Sequence, residues 1–138
     1  MDQRLLDVSY PVVELETAAV RLWRDFAHPG RSLLIPLAEA REIHDLAAED
    51  YIVLMAELRL LSRVLQHLYR ADKMNLACFG NQVPWLHWHV IPRHQDDAQW
   101  PLSVWQEPPE AAPADEAVLA EHAERLHWAL VDDDGEGA

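Results

Sequence analysis

A regular row of leucines in the middle of the chain restricts its fold more than any other feature. Between about Glu49 and Ala71 they recur at alternating steps of four and three residues, at Leu54, Leu58, Leu61, Leu65 and Leu68. That spacing places them on one stripe of a helix of roughly 35 Å, at about 1.5 Å rise per residue. It also suits a coiled-coil seam, but so short a repeat beside a single predicted sheet favours packing inside one domain. The sequence therefore predicts a long helix whose leucine face belongs to the core.

Short apolar segments on both sides of this helix predict a sheet. Strands are expected at residues 10–15, 19–24, 32–35, 73–79 and 86–93. A short helix is expected over 37–46, and Asp115 is a candidate cap for a final helix over about 114–131. The acidic tail, 132–138, is expected to be disordered. Strands, a long helix and further strands predict one α+β domain, residues 1–131, with an antiparallel sheet and helices on one of its faces.

Charge and cysteine content restrict the function. The chain of 138 residues has 11 basic against 24 acidic residues and a net charge of −13, which argues against binding nucleic acid or an anionic membrane. A small phosphorylated ligand stays possible, because a pocket needs only a few local donors. The chain contains no apolar run of membrane-spanning length. The single cysteine, Cys78, cannot form an internal disulfide, and the N-terminus does not resemble a signal peptide. A cytoplasmic location is therefore expected.

Two histidines on one predicted strand are the main candidates for chemistry. Because side chains alternate along a strand, one face carries Trp85, His87, His89 and Ile91 and the other carries Leu86, Trp88 and Val90. The two imidazoles are then about 7 Å apart between their Cα atoms. Such a pair can bind a metal, act on a phosphate or be structural. A zinc site needs three or four ligands, and neither Cys78 nor His94 is well placed to join the pair.

The surrounding segment makes a family resemblance specific. Trp85-Leu86-His87-Trp88-His89-Val90-Ile91, followed by Pro92-Arg93, resembles the motif of the histidine-triad family, His-φ-His-φ-His-φ-φ, where φ is apolar. The second and third histidines are present, and Trp85 stands at the first position. The order of elements around the motif is similar to that of the family over roughly residues 10–105. The stretch 96–105 resembles a bacterial branch of it.

This resemblance implies a histidine-triad fold and a nucleotide hydrolase or transferase that acts at the α-phosphate of a nucleotide conjugate. His87 matches the middle histidine, the nucleophile that forms a nucleotidyl-histidine intermediate. His89 matches the third, which hydrogen-bonds phosphate or leaving-group oxygens. The resemblance implies no metal or other cofactor, and a small nucleotide substrate. It also implies a homodimer formed through a continued sheet and the long helix.

Four further residues are candidates for substrate binding. Asn81 and Gln82 occupy the polar turn that the family places beside the phosphates, and Asn75 is a candidate for a similar role. Trp85 is the fourth, and it can stack on a base, close the pocket or only pack. An indole N–H donates one hydrogen bond and never gains a proton, so replacing a histidine there predicts slow turnover, by on the order of 10²-fold or more.

Two alternatives to the enzyme stay open. One is a nucleotide-binding or interaction module without catalysis, and the other is a metal-binding protein that uses His87 and His89. The remaining histidines outside the motif are expected to be surface or satisfied structural residues, at His28, His44, His67, His122 and His127. Cys78 is expected to be a small core residue. Trp100 and Trp105 are expected to pack or to shape a nucleotide site.

Overall fold

The computed structural model describes residues 1–133 and has a five-stranded sheet with three helices. The strands are β1 (Ser9–Glu14), β2 (Ala18–Trp23), β3 (Ser32–Pro36), β4 (Lys73–Ala77) and β5 (Trp88–Arg93). The helices are α1 (Gln3–Asp7), α2 (Ala48–Tyr69) and α3 (Glu116–Val131). The predicted α+β class with one long helix is confirmed.

The strands lie in the order β1-β2-β3-β5-β4, and every neighbouring pair is antiparallel. The strand that carries the histidines is thus internal, between β3 and β4. His89 is paired with Leu33 on one side and with Ala77 on the other. An internal strand holds its side chains rigidly, because both of its edges are hydrogen-bonded.

The leucine row of α2 packs on one face of the sheet, as predicted. Leu54, Leu61 and Leu65 are fully buried in a core that also contains Val20 and Val90. Helix α3 adds its own buried leucines to the same core. Buried Glu57 on α2 accepts hydrogen bonds from the backbone N–H and the hydroxyl of Thr17, which joins the helix to the turn before β2.

The short helix α1 was not predicted, and it packs against the opposite face of the sheet. The Asp2 carboxylate caps it by accepting a hydrogen bond from Arg4 N at 2.9 Å. Its buried Leu5 packs against Leu33 and Ile35. A helix of five residues is too short to show helical periodicity in a sequence. It matters because this is the face on which His89 lies.

Three predicted features differ in the structure. Strand β5 begins at Trp88 rather than at residue 86, because Leu86 N–H donates to the carbonyl of Ala40, at 2.8 Å, instead of to a neighbouring strand. The predicted helix over 37–46 is reduced to a 3₁₀ turn, Ile43–Asp45. Cys78 is exposed, so its predicted place in the core is wrong.

The C-terminal helix ends at Val131, and the described chain continues to Asp133. Asp133 pairs with Arg63 of α2 at 2.6 Å. The rest of the tail predicted to be disordered, residues 134–138, lies outside the described residues. None of the helices described in residues 1–133 is long and apolar enough to cross a membrane.

Candidate active site

His87 is buried immediately before β5, with one ring nitrogen fixed by the backbone. Its Nδ1 lies 2.7 Å from the carbonyl oxygen of Trp85. A carbonyl only accepts hydrogen bonds, so Nδ1 carries the proton and, in the neutral ring, Nε2 holds the lone pair. The ring is therefore oriented as a nucleophile or acceptor through Nε2.

His89 has the opposite arrangement. Its Nδ1 lies 3.1 Å from Nη2 of Arg31, and a guanidinium only donates. Nδ1 is thus the acceptor, and the proton of the neutral ring is on Nε2. Burial, then the charge of Arg31, then His87 lower the pKa of His89 to about 3. At neutral pH His89 is an uncharged hydrogen-bond donor, and its ring centroid lies 5.3 Å from that of His87.

Arg31 is placed beside His89 by the turn before β3. The guanidinium lies 4.3 Å from the ring centroid of Trp23 and 5.2 Å from that of Trp105, so two indoles enclose it. Burial lowers the pKa of Arg31 to about 10, which still leaves it charged at neutral pH. The preceding Gly30 has φ +90°, and a Cβ there would lie 2.6 Å from the ring of Tyr69. Glycine is therefore required at this turn.

A cavity of about 600 Å³ opens in front of the two histidines. It is lined by Arg4, Leu5, Val8, Trp23, Arg31, Phe79, Gly80, Asn81, Gln82, Val83, His87, His89 and Trp105. No carboxylate of the described chain, residues 1–133, belongs to this lining, although the protein has 24 acidic residues. The local electrostatics thus favour an anion where the bulk charge opposes one.

Four of the six residues predicted for the site meet in this cavity. His87 and His89 line it, and Asn81 and Gln82 lie in the turn that begins at Gly80, which has φ +77°. These are the residues that the sequence placed beside a phosphate. Their convergence brings a free imidazole nitrogen, an N–H donor and a polar turn to one place.

The other two predicted residues lie outside the cavity. Asn75 faces Arg93, whose Nη1 donates to its Oδ1 at 2.9 Å, so its side chain is committed to a buried network. Trp85 packs near Leu33, and its Nε1–H donates to the carbonyl of Pro36 at 3.1 Å. The indole N–H is therefore already hydrogen-bonded to the backbone. Geometry assigns both side chains to packing rather than to contact with a ligand in the cavity.

Several cavity residues were not foreseen, because tertiary contacts bring them together. Trp23 N–H donates to the carbonyl of Arg31 at 2.8 Å, a contact across two strands that no local motif marks. Trp105 was considered as a possible part of a nucleotide site, and the structure places its ring 5.1 Å from that of His89. Phe79 is 63% exposed and packs on Trp105, with centroids 5.1 Å apart.

Buried Gln99 holds the loop that carries Trp105. Its Nε2 donates to the carbonyls of Val104 and Gln106, both at 2.9 Å. Its Oε1 lies 2.6 Å from Nε2 of buried His28, which therefore donates. His28 is thus a satisfied structural histidine, as predicted.

A second cavity, of about 270 Å³, borders His87 on the side of Cys78. Phe79, Gly80 and His87 line both cavities. The nucleophile candidate therefore lies where two spaces meet, and a ligand centred on it can extend into each.

The donor set of the site does not suit a metal. Within residues 1–133, no group of three or more histidine, cysteine, aspartate or glutamate side chains is placed to hold a metal ion. Nδ1 of His89 accepts from a guanidinium and its Nε2 is protonated, so this ring offers no free lone pair. The metal alternative has no support in this geometry.

Comparison with known proteins decides the family. The family model described as HIT domain matches residues 9–96. The chain belongs to the HIT family. In this HIT protein, Trp85 stands at the first of the three histidine positions of the motif.

Solved structures that are more than 30% identical to this HIT protein include bacterial ones, in agreement with the predicted bacterial branch. A histidine triad protein from Bradyrhizobium japonicum is 31% identical with a TM-score of 0.88, and the match covers 94% of this chain and 96% of that one. A histidine triad protein from Marinobacter aquaeolei VT8 is 34% identical with a TM-score of 0.88, covering 96% of each chain. The HIT fold therefore extends over nearly the whole chain, including the final helix that the resemblance left outside.

A curated relative has a name that describes an activity. The bis(5'-adenosyl)-triphosphatase of Saccharomyces cerevisiae is 33% identical over 73 residues, which are 49% of this chain and 35% of the yeast protein. The match thus spans about a third of the length of that relative.

Proposed function

We propose that this HIT protein is a nucleotide hydrolase or transferase that acts at the α-phosphate of a nucleotide conjugate. The conjugate is a phosphoramidate, an adenylate or a dinucleoside polyphosphate, and the reaction proceeds through a nucleotidyl-histidine intermediate on His87. The observation that carries the proposal is the hydrogen bond from His87 Nδ1 to the Trp85 carbonyl, which leaves the lone pair on Nε2 of a ring that lines the cavity. The name of the yeast relative supports the substrate class.

The chemical step begins with attack of His87 Nε2 on the α-phosphorus. An N–P bond forms, and the bond from phosphorus to the leaving group breaks with its electron pair on the leaving group, which takes up a proton. Water or another acceptor then attacks phosphorus and loses its proton, and the N–P bond breaks to regenerate the imidazole. The His87 ring keeps its orientation throughout because Nδ1 keeps its proton and donates it in a hydrogen bond to the Trp85 carbonyl.

The surroundings of His87 supply the stabilisation that this step needs. The Nε2–H of His89 is available to a phosphate oxygen as negative charge develops. The turn from Gly80 to Gln82 adds polar groups on the same side, and the lining lacks repelling carboxylates. The N–H of Trp85 is bound to Pro36, so the first motif position provides no donor to the substrate. This supports the prediction of slow turnover.

The test is turnover of adenosine phosphoramidate and diadenosine triphosphate by the full-length protein, followed by chromatography of the products. We expect His87→Ala to reduce turnover by on the order of 10³-fold or more, because the nucleophile is removed. Exposed His67 of α2 gives the matched control, and His67→Ala is expected to keep the wild-type rate. Wild-type protein quenched during turnover with an alkaline denaturant, which preserves the N–P bond, should carry one nucleotidyl group by mass spectrometry, and His87→Ala should carry none.

Two results would contradict this mechanism. An active preparation whose rate is unchanged by His87→Ala shows that another group performs the chemistry. A wild-type protein that binds AMP without turning over either substrate is the binding module without catalysis.

The remaining predictions about the biological context belong to the same proposal. They are a nucleotide as the small-molecule partner, no binding of nucleic acid or membrane, a homodimer and a cytoplasmic location. Each stays a prediction.

A further inference from the structure

Arg31 carries a buried positive charge that no ion pair within residues 1–133 neutralises, although Asp25 is near enough for its charge to favour the protonated guanidinium. Its guanidinium donates to a neutral imidazole and lies between two indoles, and it forms no ion pair with a carboxylate of residues 1–133. Its Nε is inaccessible to solvent and has no hydrogen-bond partner within the same residues. A desolvated charge of this kind is costly unless an anion or a functional demand compensates it.

The other cation of the cavity differs in this respect. Arg4 pairs with Asp2 at 2.9 Å and also donates to the carbonyl of Gln82 at 3.0 Å. Its charge is therefore largely neutralised and exposed to screening by solvent. Arg31 is left as the principal source of positive potential in the cavity.

We propose that Arg31 is the positioning residue of this site: it fixes His89 as the Nε2–H donor and presents the cavity's charge to the phosphate. The second part of this inference rests on the proposed function, and the first part does not. The charge comes from the turn before β3 instead of from the first motif position, where Trp85 cannot supply it. This assigns a specificity for anionic over neutral nucleoside ligands to one side chain outside the histidine motif.

The groups that act on His89 make the effect of removing Arg31 predictable. Arg31 and His87 are the charged or titratable groups that shift its protonation, and its other ring contacts are the indoles of Trp23 and Trp105. Without the guanidinium, Nδ1 loses the donor that Arg31 provides, and the ring loses a neighbouring positive charge. The preference for the Nε2–H tautomer then weakens, and protonation of His89 becomes easier.

The positioning role is tested without any ligand, by long-range ¹H–¹⁵N correlation spectra of the full-length protein labelled at histidine. In the wild type we expect His89 to show the Nε2–H pattern and no titration between pH 5 and 8. In Arg31→Met we expect a mixture of tautomers and a titration that moves toward that range. The matched control is Arg24→Met, because Arg24 also lies over an aromatic ring, Tyr10 at 5.7 Å, but outside the cavity. It should keep the wild-type spectrum of His89.

The charge role is tested by calorimetric affinity for AMP and for adenosine. We expect Arg31→Met to reduce the preference for AMP over adenosine by about 10- to 100-fold, the usual cost of a lost charged hydrogen bond. Arg31→Lys keeps the charge without the planar fork and should lose less of that preference. Adenosine affinity is the internal reference for the intact cavity.

The outcomes separate this inference from the proposed function. A wild-type His89 that carries its proton on Nδ1, or an Arg31→Met protein with an unchanged tautomer and an unchanged ligand preference, overturns the role of Arg31. Failure of the wild type to bind AMP overturns the proposed function, while the spectra still decide the positioning role. If Arg31→Met does not fold, the wild-type tautomer and the Arg31→Lys comparison decide.

Discussion

Because of His89, the stability of this protein is expected to fall in mild acid. A substitution of His89 can isolate that contribution. Its folded pKa is about 3, against an ordinary value of 6.5, because burial and the adjacent Arg31 oppose protonation. Between these two values the unfolded chain binds a proton that the folded chain excludes. Stability therefore rises with pH through this window and falls as the pH is lowered from about 6.5 toward 3.

The size of the effect follows from the two pKa values. Lowering the pH from 7 to 5 is expected to reduce the free energy of unfolding by about 2 kcal/mol through His89 alone, at about 1.4 kcal/mol per pKa unit below 6.5. Asp97 works in a different window, because its pKa is lowered from 3.8 to about 2, and the stability that it contributes is lost only below about pH 4. His122 has a lowered pKa too and adds to the slope. His122 is present in both the wild type and His89→Gln, so the difference between their pH dependences excludes its contribution.

Urea denaturation at pH 7 and pH 5 measures this dependence. The wild type should lose about 2 kcal/mol more than His89→Gln over this interval. Substitution of exposed His67 by Gln should leave the slope as in the wild type. Equal losses in the wild type and His89→Gln would refute the assignment of His89 as a buried neutral imidazole.

Three further predictions concern the supports of the site. Gln99→Ala removes the hydrogen-bond donor to the carbonyls of Val104 and Gln106, so the free energy of unfolding should fall by roughly 2–4 kcal/mol. The Trp105 indole should become more solvent-exposed, which shifts its fluorescence to longer wavelength, and an unchanged urea midpoint would contradict this. Trp85→Phe leaves the carbonyl of Pro36 without the hydrogen bond from the indole, so the free energy of unfolding should fall by about 1–2 kcal/mol while KM stays within about twofold. A large rise in KM would place the indole in contact with substrate. The proposed homodimer continues the sheet across an edge strand, for which we propose β4, so Leu76→Glu should shift sedimentation toward the monomer and Val118→Glu on α3 should not.

The sequence alone predicted the features that depend on a regular spacing of residues within one helix or strand. The leucine spacing of α2 predicted a helix that the structure places at Ala48–Tyr69, and alternation along residues 86–93 predicted that His89 faces away from Trp88 and Val90. Both are consequences of backbone geometry within one element. The family motif then placed His87 and the turn at Asn81 in one site.

The features that were missed depend on contacts between distant segments. Arg31 follows an unremarkable Pro-Gly turn, and only the pairing of β2 with β3 places it against Trp23. The same is true of Trp85, which the motif suggested as a ligand contact. Its N–H meets Pro36, 49 residues earlier in the chain, and this partner cannot be inferred from alternation along a strand.

The two histidines illustrate what the structure adds to a motif. They are two residues apart, and the family resemblance implied different roles for them, but alternation along a strand gives no physical reason for the difference. A backbone carbonyl binds Nδ1 of His87, and a guanidinium binds Nδ1 of His89. Because one partner accepts and the other donates, the same atom, Nε2, is a lone pair in the first ring and an N–H in the second. The different roles that we propose for the two rings, attack on phosphorus and stabilisation of its oxygens, therefore follow from the contacts of Trp85 and Arg31, and Arg31 lies outside the motif.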